Sequence, residues 1–287
     1  MIAFASNSLL ARMGLGAAAD GLPVADPGLF TTVRIVSGAA TLWVFVALAN
    51  RHRTPTDTDW AAAAALFVYA AGFSYAYVTL SAATGALLLF ATVQVSLLSW
   101  GWWQKQTVTP MQGLGIGLGL AGIVLLMLPG ATAPNGPGSV LMVAAGLAWA
   151  VYTLRGGRGD PVLASRNNFV QASLLCIPLL LYLGFGAFHS QSTSVEAFIM
   201  SSMPPLSLLC ALLSGVAASA GGYILWYRVL VELNAIDAAT VQLSVPVLTA
   251  LAGIVLLDEP LTLRISLAFV ISIAGIALAI RYAPDRQ

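Results

Sequence analysis

One stretch of this strongly apolar chain aligns with a second stretch at a constant offset and without a gap. Residues 81–131 match residues 234–284, so that Ala121-Gly122-Ile123 falls on Ala274-Gly275-Ile276. The identities are few, but they keep one frame across two apolar segments and the short loop between them. A duplicated set of membrane spans is typical of secondary transporters, whose binding sites lie where the repeats meet. The duplication therefore constrains both the fold and the class of function.

The composition indicates a lipid environment. Of 287 residues, 59% are hydrophobic and only 8% are charged, whereas soluble domains carry about 25% charged residues. The net charge of +1 offers no polyanion-binding surface, so no nucleic-acid partner is expected. Cys176 and Cys210 lie in apolar runs, and His52 and His189 lie in polar loops. We therefore expect no disulfide, no metal site, no cofactor and no buried catalytic histidine.

A helix needs about 20 apolar residues to cross a bilayer. On this criterion ten segments are predicted to span the membrane: 2–19, 29–50, 60–80, 84–104, 110–128, 139–154, 163–188, 205–229, 236–257 and 263–282. The first segment lacks a basic stretch before it, and we expect it to be retained rather than cleaved as a signal peptide. Thr109 and Thr262 are predicted to cap equivalent helices at their starts.

A connector rich in Gly and Pro at 131–138 divides the chain into two halves. Five spans fall in residues 1–130 and five in residues 139–287. The predicted fold is an all-α integral membrane protein, in which ten transmembrane helices form two five-helix repeats around a central cavity.

Basic residues in short loops predict the orientation of the chain. With a cytoplasmic N-terminus, nine Arg and Lys residues lie in inner loops or at the C-terminus, while Arg264 alone lies in an outer loop. Both termini are therefore predicted to be cytoplasmic. Because each half has five spans, equivalent loops face opposite sides, as inner Lys105 and outer Asp258 do. The two repeats are thus predicted to have inverted topologies.

Several short motifs spread over the whole chain resemble those of a known family. They are FASNSLLAR at 4–12, TVR at 32–34, LAWAVY at 147–152, ATVQLSVP at 239–246 and LDEPLT at 257–262. The chain is similar to the drug/metabolite transporter superfamily in its ten-span EamA branch, which includes bacterial amino-acid exporters. Both halves of that family commonly carry a Pro in the fourth or ninth helix and a Glu in the following loop. Pro246 and Glu259 fit this pattern, whereas Val93 and Gln106 stand at the first-half positions.

The predicted ninth helix carries polar residues on one face. Gln242, Pro246, Thr249 and Gly253 recur at helical spacing. A Gln inside a bilayer is costly unless it faces protein or a water-filled cavity, and a Pro bends a helix by removing a backbone hydrogen bond. We favour Gln242 as a substrate-binding residue and Pro246 as a hinge or gate. The alternative is a kinked helix whose Gln242 bonds a neighbouring helix.

Two further amides and several aromatic residues are candidates for the cavity wall. Asn7 needs partners at mid-depth, and in the fourth helix either the face of Gln94 or the face of Thr92 looks inward. An aromatic ring with a polar tip can pack a solute and also donate a hydrogen bond, although an interfacial belt is the alternative explanation. The aromatic candidates for substrate binding are Tyr75, Trp149, Tyr152, Tyr223 and Trp226.

Arg12 and Arg34 are predicted to lie at similar depth in the outer halves of the first two helices. Either guanidinium could contact a substrate carboxylate. Alternatively, both could extend outward toward Asp20 and Asp26 at the membrane surface.

These features predict a secondary transporter that exports or facilitates small neutral or zwitterionic metabolites by alternating access. The resemblance to bacterial amino-acid exporters implies amino acids as the first choice. No Asp or Glu lies in the middle of a predicted span, which favours a facilitator over a proton antiporter. Efflux of lipophilic drugs or cations is the alternative. A membrane-embedded enzyme is less favoured, since the spans hold no His and no pair of acids. A channel is harder to exclude on residue types, but the inverted repeat favours a carrier. The sequence does not fix the oligomeric state and is compatible with a monomer.

Gly115 and Gly119 are expected to form a helix-packing seam, mirrored by Ser272 and Gly275.

Overall fold

The computed structural model describes residues 1–16, 25–49, 59–127, 136–156, 160–189, 202–256 and 263–282. All regular structure in these ranges is helical. The helices are α1 Ile2–Leu15, α2 Pro27–Leu48, α3 Trp60–Tyr77, α4 Ala82–Trp103, α5 Pro110–Met127, α6 Gly136–Arg155, α7 Pro161–His189, α8 Pro205–Leu230, α9 Ala235–Gln242, α10 Ser244–Leu256 and α11 Leu263–Arg281. Within α8, residues Ser214–Gly221 form a π-helical stretch.

Side-chain caps set where several helices begin. Asp26 accepts hydrogen bonds from the first-turn amides of α2, which starts at Pro27. Thr109 Oγ1 accepts from Gln112 N at 3.1 Å at the start of α5, so the predicted cap there is confirmed. Each cap pairs N–H groups that the first turn of a helix leaves without partners. Thr262 lies outside the described residues.

Among the described residues, seven helices are long and apolar enough to cross a membrane. They are Pro27–Leu48, Trp60–Tyr77, Thr84–Trp103, Gly136–Arg155, Pro161–Gly184, Pro205–Leu230 and Ala235–Gly253. Large apolar side chains such as Val95 and Leu181 are exposed on the outer surfaces of these helices, as expected of surfaces that face lipid. The chain is therefore a multi-pass membrane protein. The other three predicted spans coincide with α1, α5 and α11 and stay predictions.

Helix contacts recur when the two halves of the chain are exchanged. The exchange replaces α1 by α6, α2 by α7 and α3 by α8. The contact of α3 with α6 then corresponds to that of α8 with α1, and the contact of α3 with α7 to that of α8 with α2; all four contacts are present. Likewise, α4 packs on α6 as α10 packs on α1. Three contacts join helices that are equivalent in the two halves: α2 with α7, α4 with α9 and α10, and α5 with α11. Most of the predicted connector, residues 131–135, lies outside the described residues.

α5 and α11 approach so closely that their backbones touch. A Cβ atom added to Gly115 would lie 2.5 Å from Ala279 N and 2.6 Å from Gly275 O. On the other side of the contact, Ser272 Oγ donates to Gly119 O at 3.4 Å. Small residues at these positions let the two helices pack without a gap. The predicted packing seam is confirmed.

Candidate functional site

An aromatic cluster lies in the interior where α1, α3, α6 and α8 meet. The ring of Trp149 has the rings of Phe4, Tyr69, Tyr152 and Tyr223 around it, at centroid distances between 4.9 and 5.8 Å. Separations and tilts of this kind are favourable for aromatic pairs. We call these five residues, together with Trp226, whose ring contacts Phe4, the aromatic cluster.

Helical spacing explains how four of these side chains reach one place. Trp149 and Tyr152 are three residues apart on α6, as Tyr223 and Trp226 are on α8, so each pair shares a helix face. All four are buried inside the bundle, and they do not form an interfacial belt. By contrast, Trp102 is 84% exposed, as expected of a side chain at the membrane surface.

Gln242 is bonded to the aromatic cluster. Its Oε1 accepts from Trp149 Nε1 at 2.7 Å, and its Nε2 donates to Ala238 O at 3.1 Å. In this structure the amide therefore bonds a neighbouring helix.

The predicted ninth span, which carries Gln242, is interrupted at Leu243, between α9 and α10. Pro246 follows three residues later and cannot donate a backbone hydrogen bond to the Gln242 carbonyl.

Asn7 and Gln94 both join the first half of the chain to the second. Asn7 Oδ1 accepts from Ser214 Oγ at 2.6 Å, and Gln94 Nε2 donates to Ala239 O at 2.5 Å. Both amides are buried, so of the two faces of α4 the one that bears Gln94 looks inward. In each amide the second polar atom, Asn7 Nδ2 or Gln94 Oε1, has no hydrogen-bond partner.

Arg34 lies inside the helix bundle rather than extending outward. It is only 1% exposed, with Nε donating to Ser219 Oγ at 3.2 Å and Nη2 donating to Tyr69 Oη at 3.1 Å. The guanidinium carbon is 5.1 Å from the ring centres of both Tyr69 and Phe73, within range of a cation–π interaction. Nη1 has no hydrogen-bond partner.

Two predicted site residues lie away from the aromatic cluster. Arg12 Nη1 donates to Tyr77 O at 3.4 Å, at the last residue of α3. The Tyr75 hydroxyl packs against Gly28, because a Cβ atom there would lie 3.1 Å from it, and it interacts electrostatically with Asp26. The structure therefore does not bring these two side chains to the other candidates. Asp20 lies outside the described residues.

Unpaired polar atoms are concentrated in the candidate residues. Among the described residues, ten buried side-chain N and O atoms lack a hydrogen-bond partner. Six of them belong to predicted site residues: Asn7, Arg34, Gln94, Tyr152, Tyr223 and Trp226. Leaving such an atom unpaired costs about 1–3 kcal/mol, and native proteins keep few of them. Their concentration is typical of a site that pairs with water or a polar solute.

The sequence analysis missed two members of the aromatic cluster. Tyr69 shares one face of α3 with Phe73 and Tyr77 at four-residue spacing, which was an available signal for an inward-facing hydroxyl. Phe4 has no polar group, and nothing in its local sequence distinguishes it from ordinary core residues. Its position is set by contacts with α6 and α8 that spacing along α1 does not reveal.

Known proteins resemble this chain at the levels of sequence and fold. The model of the EamA-like transporter family matches residues 136–281, just over half of the chain. A crystal structure with 17% sequence identity superposes with a TM-score of 0.72 over 99% of this chain and 96% of its own length. That likeness concerns the fold alone.

Three curated relatives match part of the chain. An uncharacterized protein of Pseudomonas aeruginosa is 47% identical over 158 residues, which cover 55% of this chain and 50% of that protein. Two uncharacterized transporters of Archaeoglobus fulgidus are 26% and 28% identical, covering 55% and 56% of this chain and 53% and 54% of their own lengths. The chain therefore spans about half the length of the curated relatives it matches. The matched family is one of transporters, and the two relatives from Archaeoglobus fulgidus are named as transporters.

Proposed function

Because this chain belongs to the EamA-like transporter family, we propose that it is a secondary transporter that moves small metabolites, amino acids first, across a bacterial inner membrane. It works as an exporter or facilitator. The observation that carries the proposal is the set of buried, unpaired polar atoms in the candidate residues, three of which (Tyr152, Tyr223 and Trp226) belong to the aromatic cluster. Gln94 Oε1 can accept a hydrogen bond from an ammonium group, while the indole of Trp226 and the hydroxyl of Tyr223 can donate to a solute. The rings supply apolar surface for a side chain.

Alternating access by two inverted five-helix repeats, residues 1–130 and 139–287, is the proposed mechanism. The exchange symmetry of the helix contacts supports it. Among the described residues, buried hydrogen bonds join the two halves at candidate site residues: from Ser214 to Asn7, from Arg34 to Ser219 and from Gln94 to Ala239. When the repeats rock against each other, these bonds break and solvent reaches the site. The interruption between α9 and α10, near Pro246, gives the second repeat a hinge next to Gln242.

Contacts between helix ends support ten spans with both termini cytoplasmic. Arg155, at the end of α6, bonds Asp59 at the start of α3 at 2.8 Å. Thr109, at the start of α5, donates to Tyr282 O beyond the end of α11 at 2.7 Å. All four positions belong to the predicted inner side. Four of the nine inner basic residues (Arg51, Arg53, Arg158 and Arg286) and outer Asp258 lie outside the described residues, as does Glu259 of the family pattern.

Efflux of lipophilic drugs or cations is the second candidate, and one observation favours it. The ring faces of the aromatic cluster could hold a cation by cation–π attraction. The positive charge of buried Arg34 opposes it, since like charges at short range in a site of low polarity repel strongly. Amino acids therefore remain the first choice.

Counterflow into liposomes tests the proposal. Purified full-length protein is reconstituted, the vesicles are loaded with one unlabelled amino acid at a time, and uptake of its radiolabelled form is followed. We expect saturable counterflow for some amino acids, reduced in the Gln242→Ala variant and kept in a Trp102→Ala control. Absence of uptake above protein-free liposomes would overturn the function. Linear, non-saturable flux would point to a channel instead.

A further inference from the structure

Arg34 is the one charged side chain among the described residues that is fully buried. Burying a guanidinium removes its hydration, and proteins usually compensate with a carboxylate partner. Here the contacts come from neutral groups, the hydroxyls of Tyr69 and Ser219 and the rings beside them. Within the described part of the chain, no carboxylate forms an ion pair with Arg34.

The unpaired donors beside this charge match an anion with two oxygens. Arg34 Nη1 and the hydroxyl of Tyr223 make no hydrogen bond of good geometry. The two side chains are nevertheless close enough for the guanidinium to donate to this hydroxyl, and a tyrosine hydroxyl that accepts a hydrogen bond can still donate its own proton. A guanidinium N–H together with a neighbouring hydroxyl can donate to both oxygens of one carboxylate, and hydrogen bonds to an ionised acceptor are the strong ones. An amine or a lipophilic cation would place a second positive charge at the same position.

The packing of α8 against α2 fixes where this charge lies. A Cβ atom on Gly215 would collide with the backbone carbonyl of Arg34 and with the hydroxyl of Ser37, so the two backbones are in direct contact at Arg34. One turn further along, Ser219 holds the guanidinium through Nε. The charge therefore lies between the two halves of the chain and next to the aromatic cluster.

We propose that Arg34, together with the Tyr223 hydroxyl, binds the carboxylate of the transported solute, and that the carrier consequently selects carboxylate-bearing solutes over amines and cations. This inference rests on the proposed transport function and names the substrate class of the same site. Arg12, the other arginine in the outer halves of the first two helices, has a different role. It donates to the last carbonyl of α3, where a cation is favourable at a helix C-terminus.

Competition for counterflow tests the inference. The probes are radiolabelled phenylalanine, leucine, threonine and alanine, each competed by its unlabelled acid, by its carboxamide and by tetraphenylphosphonium. For the wild type we expect the acid to compete at least tenfold better than the carboxamide. In Arg34→Gln, the apparent affinity for the acid should fall by roughly ten- to hundredfold, while that for the carboxamide stays within about twofold. Arg34→Lys should be intermediate, since Lys keeps the charge but not the planar fork.

Other variants keep the test decisive if Arg34→Gln does not fold. Tyr223→Phe removes only the hydroxyl and should lower the preference for the acid without lowering carboxamide competition. Equal losses for acid and carboxamide in these variants would overturn the inference, as would loss of acid preference in Arg12→Gln instead. Transport of amines or the phosphonium cation without acid preference would also overturn it while leaving the transport function intact. Failure of the wild type to transport any of the probes would refute both.

Discussion

Placing a methyl group at the contact between α5 and α11 should destabilise the protein, and one helix supplies both the test and its control. Gly115 and Gly117 are two residues apart on α5. A Cβ atom at Gly115 would lie 2.5 Å from Ala279 N and 2.6 Å from Gly275 O, whereas a Cβ atom at Gly117 would have no neighbour within 4 Å. The two Gly→Ala changes therefore share their chemistry and differ in what the new methyl meets.

The magnitude follows from two opposing effects. Replacing Gly by Ala inside a helix gains about 0.5–1 kcal/mol because the unfolded chain loses freedom. At Gly115 the methyl meets backbone atoms that cannot rotate away, so α5 and α11 must separate, and overpacking of this kind costs about 1–3 kcal/mol. We expect Gly117→Ala to be neutral or slightly stabilising. Gly115→Ala should be less stable than Gly117→Ala by about 2 kcal/mol.

Thermal unfolding of the purified protein in detergent measures the difference. For a chain of this size, 1 kcal/mol shifts the midpoint by about 2–4 °C, so Gly115→Ala should unfold about 4–8 °C below Gly117→Ala. Membrane proteins often unfold irreversibly, and one scan rate should therefore be used for all variants. A midpoint for Gly115→Ala equal to or above that of Gly117→Ala would refute the backbone contact.

Three further changes test the helix ends and the site. Partial burial raises the pKa of Asp59, but the bonds from its arginine partner and the α3 amides outweigh this effect and hold the pKa below its usual value. Asp59→Asn should therefore lower the melting temperature slightly at pH 7, and the difference from wild type should start to shrink near pH 4, about the usual pKa of Asp, and disappear only below the lower pKa of the folded protein. Thr109→Val should cost about 1 kcal/mol in thermal unfolding, whereas Thr107→Val at an exposed position should change little. Trp149→Phe, which removes an indole donor, should weaken amino-acid counterflow, while Trp102→Phe should leave it unchanged.

Much of the helical framework could be predicted from sequence because it depends on local chemistry. Long apolar runs, prolines at helix starts and capping residues act within a few positions of each other, as Thr109 and Asp26 illustrate. The glycine seam was also readable, since small residues at four-residue spacing form a smooth helix face. The Ser214–Gly221 stretch gave no such signal, because its small residues fit an α-helix equally well.

The candidate site was less predictable because its residues meet across helices. The spacing of Trp149 and Tyr152 shows that they share a face, but not that this face meets Phe4 and Tyr69. The sequence was compatible with an outward and with an inward position of the Arg34 side chain. The inward position follows from its contacts with α3 and α8, which the sequence does not reveal. For Tyr75, which lies two residues before the end of α3, the sequence likewise did not reveal that its hydroxyl packs against Gly28 at the start of α2.

The π-helical stretch of α8, Ser214–Gly221, sets the rotation of the part of this helix that follows it. In an α-helix, Ser214 and Ser219 would lie about 140° apart around the axis, whereas hydrogen bonds five residues apart bring them toward one side, where they meet α1 and α2. If the stretch became an ordinary α-helix with every residue kept, everything after it would turn by about 100°, carrying Tyr223 away from Trp149. Removing Ala217 as well would offset that turn, because a π-helical turn holds about one residue more than an α-helical turn.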